Sequence, residues 1–340
     1  MDAKFGIVSD YKTTLFNARS VKITISEIAL QAGVSTGTVS RVINGHSTVA
    51  EATRSKVQSV MEQLGYTPDP VARELSMRSK HTIGIWVGAG ENRLSPYFNV
   101  VWRALIREMQ ERAIQFIELP GDLSGWRRPL NAVLVFNSSH LEERLKLLKE
   151  KKLPAVLIGH APEISCVAPD DIGGGRIAAE HLLALGHRRL LHLSVAGEAQ
   201  WHLERAQGFR DCADTAGPEV NLAIVRGDAS VLGGYRLMRD AWLTGQRPTG
   251  IFCATDEMAL GAFGALQDLG IRVPEAASVL GFDGLASELQ PGLASITQDI
   301  ARIASEAVSL VLEAIEGSPS RQVTVPVSLD AGTSLAPAPN

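Results

Sequence analysis

Residues 24–44, Thr-Ile-Ser-Glu-Ile-Ala-Leu-Gln-Ala-Gly-Val-Ser-Thr-Gly-Thr-Val-Ser-Arg-Val-Ile-Asn, constrain the fold more than any other stretch of this chain. Thr24 and Glu27 stand in the S/T-x-x-E relation of a capping box, in which each side chain satisfies the other residue's backbone N–H. Ile25, Ile28, Ala29 and Ala32 follow at i, i+3, i+4 and i+7, the apolar face of one short helix. Gly33 ends that helix, because glycine turns there without steric cost. Ser35 can cap a second helix whose inward face is Val39, Val42 and Ile43. Thr36, Gly37, Thr38, Ser40, Arg41 and Asn44 are left facing outward, small or polar and able to hydrogen-bond. A tight helical pair with a polar second helix is the helix-turn-helix arrangement, where the second helix reads base edges in DNA. The plainer alternative is an ordinary helical hairpin, and the next segment argues against it. Val57, Val60, Met61 and Leu64 form a third apolar stripe, stopped by Gly65 with Pro68 beyond. Three helices of this size make a minimal DNA-binding headpiece, assigned to residues 21–67.

The chain has 340 residues, too many for a headpiece alone, so a large second unit must follow. With 45% hydrophobic and 21% charged residues it has the make-up of a soluble globular protein with a sizeable core. No run approaches the apolar length of a membrane span, and residues 1–20 lack the basic start and apolar centre of a secretion signal. The cytoplasm is therefore the expected location. Residues 1–20 read either as a disordered extension or as the product of a misplaced start. Cys166, Cys212 and Cys253 are far apart and odd in number, which suggests neither a disulfide framework nor a CxxC metal site. The net charge of −4 hides an asymmetry. Residues 21–80 carry Lys22, Arg41, Arg54, Lys56, Arg73, Arg78 and Lys80 against Glu27, Glu51, Glu62, Asp69 and Glu74. That is weak basicity for a DNA binder, and it implies two headpieces acting together.

Residues 68–80 form a connector. Asp69 can cap a helix with Pro70 at its first position, running to Ser76. Two turns do not persist alone in water, where helices below ~12–15 residues are marginal. This segment is expected to order only against a partner. From Thr82 the pattern changes to short apolar runs alternating with amphipathic helices. Residues 82–87, 114–119, 132–136, 155–158, 190–193, 223–225, 250–254 and 278–281 read as buried parallel strands. Helices fall between them, including 97–111, 141–149, 172–185, 233–243 and 258–269. Alternating strands and helices predict doubly wound sheets, and eight strands over this length suggest two lobes.

Gln31-Ala-Gly-Val-Ser-Thr-Gly-Thr-Val-Ser-Arg-Val-Ile-Asn44, Thr53-Arg54, Leu64-Gly-Tyr-Thr-Pro68 and Ala72-Arg-Glu-Leu75 together resemble the lactose-repressor (LacI/GalR) family of bacterial transcription regulators. The likeness continues in order from about residue 22 to 335. It implies an all-α helix-turn-helix headpiece joined to an α/β periplasmic-binding-protein-like unit of two doubly wound lobes. By the resemblance, the chain passes to the second lobe near Pro169, returns near Gln298 and crosses again near Arg321. The effector-binding and dimerisation unit is then 81–340, with a first lobe of 81–168 and 299–320 and a second of 169–298 and 321–335. The connector becomes a hinge helix that pairs with its dimer mate in the minor groove. Leu75 occupies the position of a wedge between base pairs, with Val71 and Ala72 on neighbouring faces. Thr24, Ser35 and Tyr66 complete the expected DNA-contacting set.

The resemblance also places an effector in the cleft between lobes, outside the carboxyl ends of the strands. Ser95-Pro-Tyr-Phe98 matches an aromatic pair at the cleft mouth, so Tyr97 and Phe98 either hold a ring or close the core. Glu204-Arg-Ala-Gln-Gly-Phe209 matches an R-x-x-G-F element in which the arginine grips the effector. Arg205 suits that task because a guanidinium is a rigid fork. Ala254-Thr-Asp-Glu-Met-Ala-Leu-Gly261 matches A-N-D-x-M-A-L-G, with Thr255 in place of the usual Asn. Gly281-Phe-Asp283 matches a strand end at which Asp283 accepts from ligand hydroxyls.

Several departures point to a distinct ligand. Ala229 stands where relatives often carry an aromatic, and Trp201 can supply a stacking face instead. His160 replaces an acidic or basic contact residue. Residues 120–130, rich in Pro and Gly, cannot form the helix that family members usually place there. An Arg, an Asp and a Trp around one cleft favour a polyhydroxylated ligand: a sugar, sugar phosphate or sugar acid.

Other motifs lead nowhere. Gly33-Val-Ser-Thr-Gly37 spells G-x-S-x-G without the preceding strand that a nucleophile elbow needs. Gly173-Gly-Gly175 lacks the Lys-Ser/Thr of a phosphate loop. Asp170-Asp171 has no ligand cluster of metal spacing in the sequence. No cofactor, metal or catalytic constellation is expected. The reading is a ligand-responsive repressor of carbohydrate or sugar-acid genes, binding a pseudo-palindromic duplex operator as a homodimer or dimer of dimers. The alternatives are a sugar-binding protein with a vestigial DNA unit, a ligand-dependent activator or co-repressed regulator, and an enzyme built on the α/β unit.

Overall fold

Helix α1 (Ile25–Ala32) opens with reciprocal capping: Thr24 Oγ1 accepts from the Glu27 amide at 3.4 Å, and Glu27 Oε2 accepts from the Thr24 amide at 2.7 Å. Gly33 closes it with φ +63°, a left-handed turn. Helix α2 (Thr36–Ile43) starts at Ser35, whose Oγ accepts the Thr38 amide at 3.1 Å, and α3 (Glu51–Gln63) completes the trio. Ile28, Ala29, Ala32, Val39, Val42, Val57 and Val60 are the buried core, with Met61, Leu64 and Tyr66 packed against it. These are positions that helical periodicity selects, except that Ile25, the first of the α1 stripe, is 36% exposed because it sits on the opening turn with nothing among the described residues packed over it. The computed structural model describes residues 23–43, 49–66, 81–88, 93–136, 140–285 and 289–339. The readings at residues 1–20, at Asn44 and in the hinge segment with Val71, Ala72 and Leu75 lie outside the described residues. The chain divides into units 1–78 and 79–340.

In the larger unit, β1 (Thr82–Val87), α4 (Pro96–Glu111), β2 (Gln115–Glu118), β3 (Ala132–Phe136), α5 (Leu141–Glu150), β4 (Ala155–Ile158) and β5 (Ser165–Pro169) build the first lobe. The second holds α6 (Asp171–Ala184), β6 (Arg189–Val195), α7 (Gln200–Thr215), β7 (Asn221–Gly227), α8 (Val231–Leu243) and β8 (Gly250–Cys253). It continues through α9 (Asp256–Asp268), β9 (Ser278–Asp283) and β10 (Ala294–Gln298). Helix α10 (Ile300–Ile315) and β11 (Gln322–Val325) return to the first lobe, and β12 (Val327–Asp330) ends in the second. The sheet orders are β11-β5-β4-β3-β1-β2 and β12-β10-β9-β8-β6-β7, parallel throughout except for β10–β12. Strand alternation sorts each side chain to a face. Ile83, Ile85 and Val87 meet α4 and α10, while Trp86, Val133 and Val135 face the other way.

Twelve strands appear among the described residues, against eight read from sequence. Strands β5, β10, β11 and β12 were missed because they are four or five residues long and carry Ser, Thr, Gln, Asp or a terminal Pro instead of a continuous apolar run. Strand β11 also corrects the third crossing. Gln322 to Val325 pair in parallel with Cys166 to Pro169 of the first sheet, so the chain leaves that lobe at Pro326 and not near Arg321. Hydrogen bonds to β5 hold those four residues in the first lobe.

Residues 120–131 form no helix, as the Pro and Gly content requires. The sheet face beneath them is nevertheless covered. Leu119 and Leu123 are fully buried, and Trp126 and Leu130 pack beside them. The loop is pinned where Trp86 Nε1 donates to the Gly121 carbonyl at 3.3 Å and Asn131 Oδ1 accepts the Thr82 amide at 2.7 Å. Gly84 makes room: a Cβ there would lie 2.6 Å from Leu119 Cδ1. One irregular loop thus does the covering work of a helix. Leu123→Ala should cost about 2–5 kcal/mol by opening a cavity under it, read from urea unfolding of the full chain. A loss below about 0.5 kcal/mol, the surface-substitution range, would mean that the loop does not seal the sheet.

Candidate functional site

The carboxyl ends of both sheets meet around Arg205, which α7 carries into the second lobe with its side chain 4% exposed. Its Nε donates to Asp171 Oδ1 at 2.7 Å, and its Nη1 donates to Asp283 Oδ1 at 3.2 Å and to the Ala254 carbonyl. The guanidinium lies 3.5 Å over the Phe282 ring and 4.7 Å over Trp201. Each partner is delivered by a strand or helix end. Asp170 caps α6 by accepting the Gly173 amide at 2.8 Å, which leaves Asp171 free for Arg205. Asp283 ends β9 with φ +123°, a region costly for a residue with a Cβ.

Two contacts span the lobes. Tyr97 at the start of α4 donates its hydroxyl to Gln298 Oε1 of β10 at 3.1 Å, and Gln298 Nε2 donates to Asp283 Oδ1 at 2.9 Å. His160, just after β4, lies 2.8 Å from Asp171 Oδ2 and 3.2 Å from Glu204 Oε2. Burial opposes a charge on His160, but the Asp171 hydrogen bond and the two carboxylates outweigh it and raise its pKa above the ordinary histidine value. Burial likewise raises Asp283, against the pull of Arg205, and also raises Asp256, which accepts from Ser295 Oγ at 2.7 Å and the Leu285 amide at 2.6 Å.

A raised histidine pKa stabilises the folded form fully below the unfolded value of about 6.5. That contribution is lost as pH rises through the higher folded value. The thermal midpoint of the wild type should therefore fall relative to His160→Gln between pH 6 and 9, in scans of the full chain. Parallel curves would remove His160 as an interlobe tie.

The expected effector residues separate into two groups. Tyr97, His160, Trp201, Arg205 and Asp283 are joined by the contacts just described. Phe98 lies in the first-lobe core, stacked on Trp102 at 5.6 Å and edge-on to Phe136 at 5.2 Å. Thr255 caps α9, its Oγ1 accepting the Met258 amide at 3.1 Å. Sequence reasoning missed Asp171, Glu204, Phe282 and Gln298 as parts of this cluster. Asp171 carried a signal, since one member of an Asp-Asp pair at a helix start suffices as cap. His160 Nε2 and an oxygen from each of Asp171 and Glu204 lie within 4.8 Å of one another, a spacing that would suit a metal ion. The two imidazole–carboxylate contacts account for that geometry without one.

In the headpiece, Ser35, Thr36, Gly37 and Arg41 are exposed along α2, while Thr38 and Ser40 are half-buried. Thr38 Oγ1 sits 2.9 Å from Ser35 Oγ. Thr24 is exposed at the start of α1, and Tyr66 packs against the headpiece core. A shallow concavity lined by Val34, Ser35, Thr38, Arg41, Val49, Ala50 and Thr53 runs beside α2.

The family profile described as bacterial regulatory proteins, lacI family, matches residues 24–69, and a periplasmic binding protein-like domain matches residues 179–335. The HTH-type transcriptional regulator CelR of Thermobifida fusca is 32% identical over 334 residues, covering 92% of this chain and 96% of CelR. The chain belongs to the lacI family of bacterial regulators. An HTH-type transcriptional repressor, PurR of Mannheimia succiniciproducens, is 30% identical over 321 residues, 89% of this chain and 95% of PurR. A solved complex of transcriptional regulator CelR with cellobiose superposes with a TM-score of 0.67 at 27% identity, covering 92% of this chain and 99% of that one. This member of the lacI family is a ligand-responsive, DNA-binding transcriptional regulator.

Proposed function

We propose that the chain is a carbohydrate-responsive repressor that binds a pseudo-palindromic operator as a homodimer or dimer of dimers. The observation that carries this is Arg205, a buried fork held by Asp171 and Asp283 against the faces of Phe282 and Trp201. Fixed polar groups converging beside the part-exposed Trp201 suit a ring bearing many hydroxyls. The cellobiose complex of a relative makes that disaccharide the first ligand to test. In this reading, a sugar in the cleft changes the angle between the lobes and so biases whether residues 69–76 of two subunits pair. A segment too short to be helical alone is ordered or released by a small shift, and the coupling is reciprocal.

On α2, Thr36, Thr38 and Arg41 carry direct base readout, with Arg41 the best guanine partner. Ser35, Gly37 and Ser40 let the backbone approach, while Thr24 and Tyr66 steady the headpiece on phosphates. Leu75, flanked by Val71 and Ala72, is the wedge. The chain works in the cytoplasm; no described helix is long and apolar enough to cross a membrane. It binds its sugar without transforming it.

Fluorescence anisotropy with DNA from its own promoter region, with and without cellobiose, tests the proposal. Arg41→Ala should weaken specific binding by about 1–3 kcal/mol while leaving sugar affinity intact. Binding that neither prefers its promoter over random duplex nor responds to any sugar would dismiss the reading.

A further inference from the structure

We infer that the cleft selects an uncharged sugar and discriminates against sugar acids and sugar phosphates, with Glu204 as a determinant of that choice. This rests on the carbohydrate reading above. The two cations of the cluster are both engaged. Arg205 spends Nε on Asp171 and Nη1 on Asp283 and a carbonyl, and His160 is shared between Asp171 and Glu204. Three carboxylates thus surround two cations, and Asp256 accepts bonds from Ser295 and Leu285 close by. Were Asp283 to hold a proton, the count would fall to two against two, still with no surplus positive charge.

An incoming carboxylate or phosphate would have to displace a resident carboxylate or lie beside it. A displaced buried carboxylate loses its partner, and like charges a few ångströms apart in a half-dry cleft repel. Hydroxyls face neither cost, because each can donate to a resident carboxylate oxygen and accept from a guanidinium or imidazole N–H without breaking an ion pair. Glu204 is half-buried beside His160, and its oxygen is the second of the two that hold the imidazole. Without it, His160 keeps Asp171 but is less fully neutralised.

Isothermal titration calorimetry on the full chain with matched pairs, cellobiose against cellobionate and glucose against glucuronate and glucose 6-phosphate, tests the inference. The neutral member should bind at least about tenfold more tightly, one partly screened charge contact. Glu204→Gln should narrow that gap severalfold. An anionic member that binds the wild type as tightly as its neutral partner overturns the inference, and an unchanged gap in Glu204→Gln removes Glu204 from it.

If no sugar binds, the carbohydrate reading fails, and inorganic phosphate then decides the charge argument alone. The wild type should show no thermal stabilisation beyond sodium chloride of equal ionic strength, whereas Glu204→Gln should show some. Phosphate stabilisation of the wild type that vanishes in His160→Gln or Arg205→Lys would overturn it.

Discussion

Arg205→Ala should unfold more easily than the wild type by about 3–5 kcal/mol, the cost of leaving buried charges without their partner. Asp171 and Asp283 are both almost fully buried, and each gives Arg205 an oxygen. Domain stabilities of about 5–15 kcal/mol make this a large fraction of the total. The deficit should grow with pH. At low pH the stranded carboxylates can take up protons, whereas at high pH the fold must hold them charged and unpaired. Urea unfolding of the full chain at pH 5.5 and 8.5 measures both. Arg205→Lys should fall between, since an ammonium keeps the charge but not the fork that spans two acids. Sugar response should vanish in the alanine variant while the headpiece, with its own core, still folds. A variant within about 1 kcal/mol of wild type at both pH values would mean that Arg205 clamps nothing.

Gly208→Ala is the second substitution with a large expected effect. In the second lobe two helix pairs cross with backbones nearly touching, and glycines permit it. A Cβ on Gly208 of α7 would lie 2.0 Å from the Ile172 carbonyl oxygen, and one on Gly175 of α6 would lie 2.1 Å from the Arg205 carbonyl oxygen. Helices α8 and α9 repeat the device: Gly234 would meet the Met258 carbonyl oxygen at 2.1 Å, and Gly261 that of Val231 at 1.9 Å. These obstacles are backbone atoms, so no side chain can step aside. The helices must separate, at a cost at the upper end of the about 1–3 kcal/mol typical of overpacking.

Position 208 also lies close to the site, because the turn that carries Gly208 begins at Arg205. Separating α6 from α7 would pull Arg205 away from Asp171, so Gly208→Ala should lose sugar affinity together with stability. Gly125→Ala, where a Cβ would meet nothing within 4 Å, is the matched control and should change stability by no more than about 0.5 kcal/mol. If the two variants behave alike in denaturant, the close crossing is not what holds the lobe.

Much of this was legible in the residues because it is local. Apart from Ile25, the headpiece core follows the positions spaced at helical intervals, and the capping box at Thr24 and Glu27 forms as written. Arg205 and Asp283 were legible as motif positions, but their pairing with each other was not. Asp283 was read as an acceptor for ligand hydroxyls, whereas in the fold it first accepts from Arg205 and Gln298.

The partners that make the cluster lie 34, 78 and 201 residues apart in Arg205–Asp171, Arg205–Asp283 and Tyr97–Gln298. Such pairs obey no period. Thr255 shows the converse, a residue matched to a ligand motif whose hydroxyl caps the helix it opens. Phe98 follows the same logic. On α4 it shares a face with Val101, Leu105 and Met109, and that face is turned to the core. The loop at 120–131 was legible as a missing helix but not as a cover, because burial of Leu119 and Leu123 depends on the sheet they meet.

The threefold passage of the chain between lobes, at Asp170, Asp299 and Pro326, restricts how such a protein can acquire new responses. Residues 1–78 form a contiguous unit, so a single genetic crossover can graft a different operator preference onto the same sensor. Neither lobe is contiguous, and no single exchange of gene segments can transplant half of the sensing cleft intact. A new effector is therefore expected to come by point substitution around a fixed scaffold, whereas a new target can also come by exchange of one segment.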